Sequence, residues 1–245
     1  MINEEDHLRM QALLPGLQVQ EAWKMIDNVD NQLEKKIAYA FSEELGYLTA
    51  CPTNVGTAMR VSAMLHLPGL VLSEHINRII NSVNKLGLAV RGLYGEGTEA
   101  LGNIFQVSNQ MTLGESEEKI VERLRKVLNQ IIEEEENARA CLLEDKLKTV
   151  LNHIGRAYGI LSNAHSISSK ETMNLLSLLR LGVDFEMFKN MSRAVIDELF
   201  ITTQPAHLQK QHSDKLGAEE RDIHRADMLR KRLKSVDRPT KPKIR

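Results

Sequence analysis

Helix-like and strand-like stretches follow one another along this chain without a regular βα alternation, an order that argues against a doubly wound parallel sheet. Apolar residues recur at helical spacing between Leu17 and Phe41, and Gly46 closes that run. Arg60 to His66 is rich in Val, Met and Leu and is bounded by Pro68-Gly69, which predicts a strand. Ser73 caps a helix whose apolar face is Ile76, Ile79, Ile80 and Val83 and which stops at Gly87. Leu88 to Val90 begins a second strand, and Asn103 to Asn109 reads as its hairpin partner. A long charged helix follows from Glu115 to about Lys148, with Glu133 to Glu136 as a solvated face. Shorter helices are expected near Ser169–Arg180, Asp184–Lys189 and Ser192–Ile201. Past Leu233, two prolines, several Lys and Arg, and no apolar period predict a disordered basic tail. The expected class is α+β, an antiparallel sheet flanked by helices. Its parts are a domain over 1–200, a helical region over 201–232 and the tail over 233–245.

The 245 residues are 42% hydrophobic and 27% charged with a formal charge of −1. That composition supports a real core but no polycation, so affinity for anions must come from local clusters. No stretch reaches the ~18 consecutive apolar residues of a membrane span. Glu4, Glu5 and Asp6 stand where a signal peptide would be basic and then apolar. Cys51 and Cys141 make neither a disulfide framework nor a zinc pattern, and no metal-ligand set is legible. The expected location is the cytoplasm, away from membranes and without direct nucleic-acid binding.

Three short segments could carry chemistry: Asn3-Glu4-Glu5-Asp6-His7-Leu8-Arg9, Cys51-Pro52-Thr53-Asn54-Val55-Gly56-Thr57 with Arg60 beyond it, and Arg91-Gly92-Leu93-Tyr94-Gly95-Glu96-Gly97-Thr98-Glu99. Phosphoryl transfer needs positive charge around a phosphate chain, and a guanidinium supplies it with two-pronged geometry. Arg9, Arg60 and Arg91 are the candidates, although each alone also reads as a surface arginine. No Walker A loop or glycine-rich kinase loop is present. A guanidinium nitrogen is a poor nucleophile, so carboxylates are needed to orient and deprotonate it. Glu5 and Glu96 suit that role, and Asp6 could hold an arginine or a metal-bound water. The acidic triplet also reads as an ordinary helix N-terminal turn. Cys51, among hydroxyls and small residues, is either a stabilised thiolate or an inert cysteine.

In this order and at these separations the three segments resemble the catalytic domain of the ATP:guanido phosphotransferases, the phosphagen kinases. The likeness is strong over residues 3 to about 110 and looser to about 230. It implies a glutamine-synthetase-like sheet, here N-terminally incomplete, because a serine- and arginine-rich segment of the family is not present. It also implies ATP with nucleotide-bound Mg²⁺. Arg9, Arg60 and Arg91 would contact phosphates, and Val61, Ser62, Ala63, Met64, Gly92, Leu93, Tyr94 and Gly95 would line the nucleotide. Glu5 and Glu96 would hold and deprotonate the guanidino group, Cys51 would tune it, and Asp6 would support the cluster. Glu220-Arg221-Asp222-Ile223-His224-Arg225-Ala226 resembles the phosphoarginine-binding signature of the bacterial protein arginine kinases, with Arg78 completing the pocket. The implied reaction is phosphorylation of arginine in proteins, linked to a stress-response repressor and an AAA+ protease, in a form that allows a homodimer. Two alternatives remain at this point: a catalytically impaired phosphoarginine-binding module, or a small-guanidino kinase.

Overall fold

A computed structural model describes residues 2–92, 100–212 and 215–242, with side chains from residue 5 onward. The chain divides into two compact units. One takes its described residues from 1–65, 75–91 and 105–134, the other from 66–74, 92–104 and 135–245.

The first unit opens with two short antiparallel ribbons. Strand β1 (Ile2–Glu4) pairs with β2 (His7–Leu8), and β3 (Phe41–Ser42) with β4 (Gly46–Tyr47). Between them runs α1 (Val19–Glu34). From residue 5 to 50 only Val19 is fully buried, while Leu13, Met25, Phe41 and Leu48 are exposed. A three-stranded sheet follows, ordered β5 (Ser62–His66), β7 (Ile104–Asn109), β6 (Leu88–Gly92). The Asn109 N–H donates to Val61 O and the Gln110 N–H to Gly87 O. The end of β7 therefore meets the starts of both neighbours, which is antiparallel pairing. Helix α2 (Pro68–Leu72) lies in the second unit and α3 (Ile76–Lys85) in the first. Helix α4 (Glu117–Asp145) buries Ile120, Leu124, Val127, Leu128 and Ile131 at the spacing that its sequence predicts.

The second unit is helical. Lys146, at φ −127°, interrupts the run, and α5 (Leu147–Asn163) starts afresh. That helix has no counterpart in the sequence reading, which ends its long helix near Lys148. Helices α6 (Ser169–Asp184), α7 (Arg193–Thr202), α8 (Pro205–Lys210) and α9 (Ala218–Leu233) follow. Ser168 caps α6 by accepting the Glu171 N–H at 3.2 Å, and the Glu220 carboxylate accepts the Gly217 N–H at the start of α9 at 2.7 Å. Ile154, Ala157, Leu161, Leu176, Leu179, Ile196, Leu199, Leu229 and Leu233 form one core, to which each leucine and isoleucine contributes about 1.5–3 kcal/mol of transfer free energy.

Three expectations change. The helix expected at 184–189 is a turn instead. Glu186 adopts φ 54°, and the chain folds back to bury Phe185, Met187 and Phe188. Glu135 is not on a solvated face: it is 5% exposed and accepts the Gly69 and Leu70 N–H groups at the start of α2. The stretch expected to be a disordered tail is held as far as residue 242. Tyr158 Oη donates to Val236 O at 2.7 Å, and the Thr240 N–H to Met187 O at 2.8 Å, while Val236 and Pro242 are buried.

Candidate functional site

The β1–β2 ribbon turns through Asp6 and His7, both left-handed at φ 67° and 66°. The tight reversal presents the Asp6 carboxylate to the cysteine-bearing segment. Oδ1 accepts from the Ala50 N–H at 2.6 Å and the Cys51 N–H at 3.3 Å, and Oδ2 accepts from Asn54 Nδ2 at 2.6 Å. The Asn54 amide foremost, with those backbone donors and Arg9, holds the Asp6 carboxyl below the usual carboxylate range against the opposing effect of burial. Asp6 is thus a clamp on the turn. Within that turn Cys51 leads a 3₁₀ segment, Pro52–Asn54, and its Sγ lies 3.0 Å from Thr53 Oγ1. Glu5 is exposed beside the clamp, and Arg9 is exposed on the other side of the ribbon turn.

The same loop is tied onward to the end of β7. Thr112 Oγ1 donates to the Thr53 and Val55 carbonyls, and its own carbonyl accepts the Thr57 N–H at 2.8 Å. Gly56 makes this approach possible. It sits at φ +113°, and a Cβ there would lie 2.1 Å from Thr112 O. Arg60 leaves the loop and enters β5, where its Nη2 donates to Ser108 Oγ at 3.3 Å. Next along β5, Ser62 Oγ accepts from Gln106 Nε2 at 3.0 Å. These cross-strand contacts put Arg60, Ser62 and Met64 on one face of the sheet with Gln106 and Ser108. Counting along β6 from the Gly87–Gln110 bond brings exposed Arg91 level with Gln106 on that face. Strand alternation turns Val61 and Ala63 to the opposite face, so only Ser62 and Met64 of that stretch offer side chains to it.

Asp6 and Cys51 are therefore in direct contact, and Arg60 belongs to the same hydrogen-bonded framework. Gly92 ends β6 half-buried, while Leu93, Tyr94, Gly95 and Glu96 lie outside the described residues. The motif on α9 is a different matter. Arg225 is 1% exposed; its Nε donates to Thr203 O and its Nη1 to Ile167 O, both at 2.8 Å, and Nη1 also pairs with Asp222. Arg221 spends Nη1 on Leu216 O at 2.6 Å. Arg225 and Asp222 fasten α9 to the carbonyls of residues 167 and 203. Arg78, in the first unit, lies 3.6 Å from Glu134. Sequence reasoning missed the parts that Asn54, Ser108, Asn109 and Thr112 play in holding Asp6, Arg60 and the Cys51 loop. The available signal was a polar Ser-Asn pair ending an otherwise apolar strand.

Residues 1–138 match the profile described as ATP:guanido phosphotransferase, C-terminal catalytic domain, and residues 146–244 match that of the protein-arginine kinase McsB C-terminal domain. The two meet near the α4–α5 break. A protein-arginine kinase of Geobacillus sp. (strain WCH70) is 54% identical over 238 residues, covering 97% of this chain and 66% of that protein. One of Bacillus cereus (strain AH187) is 53% identical over 234 residues, covering 96% and 66%. This chain thus spans 66% of the length of these curated relatives. Among solved structures, lombricine kinase superposes with a TM-score of 0.50 at 30% identity, over 57% of this chain and 39% of that one. The motifs, the α+β fold and the profile match over more than half the chain agree: this chain belongs to the ATP:guanido phosphotransferase family.

Proposed function

We propose that this chain carries the catalytic part of an enzyme that phosphorylates arginine side chains in proteins. The observation that carries the reading is the single framework joining the Asp6-clamped Cys51 turn to Arg60. The relatives named protein-arginine kinase select a protein acceptor over a small guanidino compound.

The side chains fit a polyphosphate. Arg60 and Arg91 share a face with hydroxyl and amide groups, and none of the residues assigned to that face is acidic. ATP supplies the phosphoryl group, and Mg²⁺ travels on its phosphates. Arg9, Arg60 and Arg91 bind and orient the phosphate chain through charge-assisted forks. Glu5 and Glu96 align the acceptor guanidinium and take its proton. The Cys51 sulfur beside Thr53 tunes the charge next to it. Such a reaction belongs in the cytoplasm, and a stress-response repressor or a client of an AAA+ protease fits as acceptor, with the enzyme as a homodimer.

The test is an assay for acid-labile phosphate on arginine, with MgATP and an unfolded arginine-rich protein. The chain is tried alone and joined to the third of the Geobacillus relative that it does not span. Phosphoarginine should form in the joined protein and fall by roughly 10²–10⁴-fold in Glu96→Gln, the scale for losing a positioned base. Phosphate on serine alone, or full turnover in Glu96→Gln, would overturn the assignment.

A further inference from the structure

Strand β7 ends in Ser108-Asn109, two polar side chains only 1% and 5% exposed. Burying polar groups is unfavourable unless their hydrogen bonds are met, and these two meet theirs at one place. Asn109 Oδ1 accepts the Val61 N–H at 2.9 Å, and Asn109 Nδ2 donates to Met59 O at 3.0 Å and to Met111 O at 3.0 Å. Met59 and Val61 flank Arg60, so the amide grips the backbone on both sides of it. Ser108 Oγ accepts from the Arg60 guanidinium at 3.3 Å. One residue thus fixes where the arginine starts, and its neighbour fixes where one prong ends.

We propose that Ser108 and Asn109 are positioning residues that preset Arg60 for the phosphate chain of a nucleotide. This rests on the phosphotransferase reading above. An exposed arginine on a free loop would have to surrender rotamer freedom whenever a phosphate arrived. Here part of that loss is taken when the sheet forms. The contact also leaves Nη1 and Nε of Arg60 without a role in this bond, so the guanidinium keeps donors for an oxyanion while held by Nη2.

The full chain is treated with phenylglyoxal, and modification of each arginine is followed by peptide mass spectrometry. Arg91 and exposed Arg125 serve as internal references. Ser108→Ala should raise the Arg60 rate about fivefold, the population change that one modest hydrogen bond supports. Asn109→Ala should raise it as well, with the reference arginines unchanged in both. A general loss of structure would instead open Arg225, 1% exposed in the fold, to the reagent and would count against a positioning role. An unchanged Arg60 rate in Ser108→Ala, with native circular dichroism, overturns the proposal. MgATP provides the second arm. It should protect Arg60, with the half-protecting concentration about fivefold higher in Ser108→Ala. No protection in the wild-type chain, with the Ser108→Ala effect intact, would sink the nucleotide reading and leave the positioning standing.

Discussion

Asp6 spends both carboxylate oxygens on the turn that carries Cys51, so one charge supports the start of that turn while Thr112 ties its later residues. Its folded carboxyl titrates below the usual value, chiefly because of the Asn54 amide. The stabilisation it adds is therefore fully present above the unfolded carboxylate pKa, and it fades as pH falls through the lower folded value. Alkylation of Cys51 by iodoacetamide at neutral pH should accelerate in Asp6→Ala, while exposed Cys141 reacts as before. An identical Cys51 rate would mean that the clamp does not order the turn. At this scale the sequence was partly legible. Cys51, Asp6 and Arg60 stand out because charged or reactive residues sit among small ones. Asn109 did not, because the Ser-Asn pair marks a polar strand end without showing that the amide will bridge residues 59, 61 and 111.

Short helix α2 depends on a carboxylate 65 and 66 residues away in sequence from the N–H groups it accepts. Its first N–H groups have no intrahelical partner, and Glu135 of α4 accepts two of them while pairing with Arg139. Burial raises the Glu135 pKa, although Arg139 opposes it. Glu135→Ala strands both N–H groups while Arg139 keeps Asp184 and the His66 carbonyl as partners, and should cost about 1–3 kcal/mol in urea unfolding. A loss under ~1 kcal/mol would show that water replaces the carboxylate. Next to this network, His66 ends β5, with Nε2 2.8 Å from Ser177 Oγ. Burial foremost, then Arg180, Arg139 and Arg193, keep its pKa well below 6.5. Below that value the unfolded chain takes a proton that the folded one refuses, so stability should fall as pH drops from about 6.5. His66→Gln should flatten the pH 5 to 6.5 slope of the thermal midpoint, and an unchanged slope would remove His66 as its source. Periodicity revealed most of the elements, including α1, α3, α4 and β5 to β7, although α1 ends at Glu34 rather than running to Phe41, and His75 rather than Ser73 precedes α3. It missed α5, whose start depends on the local break at Lys146, and it gave Glu135 to solvent because a run of four acids hides the one that turns inward.

For the whole molecule, burial is uneven. The helices from 147 to 233 share one extensive core, whereas residues 5–50 bury only Val19 fully. Hydrogen exchange should be fast across 5–50 and slow across α5, α6 and α9, by several orders of magnitude in protection. Equal protection in both regions would contradict this account of where stability resides. The α+β class was readable from the order of the elements. The joining of the Cys51 loop to β7 was not, because it runs through Thr112, 59 residues from Thr53. Gly56 makes that joint, and it bears on how a genetic screen of this protein should be interpreted. A library selected for activity would reject nearly every codon at position 56, since any side chain meets Thr112 O. A tolerance map would rank Gly56 alongside Arg60 and invite its reading as a substrate contact. Scoring the same library for cellular abundance as well would separate the two: Arg60 variants should persist as inactive protein, and Gly56 variants should be depleted from the soluble pool.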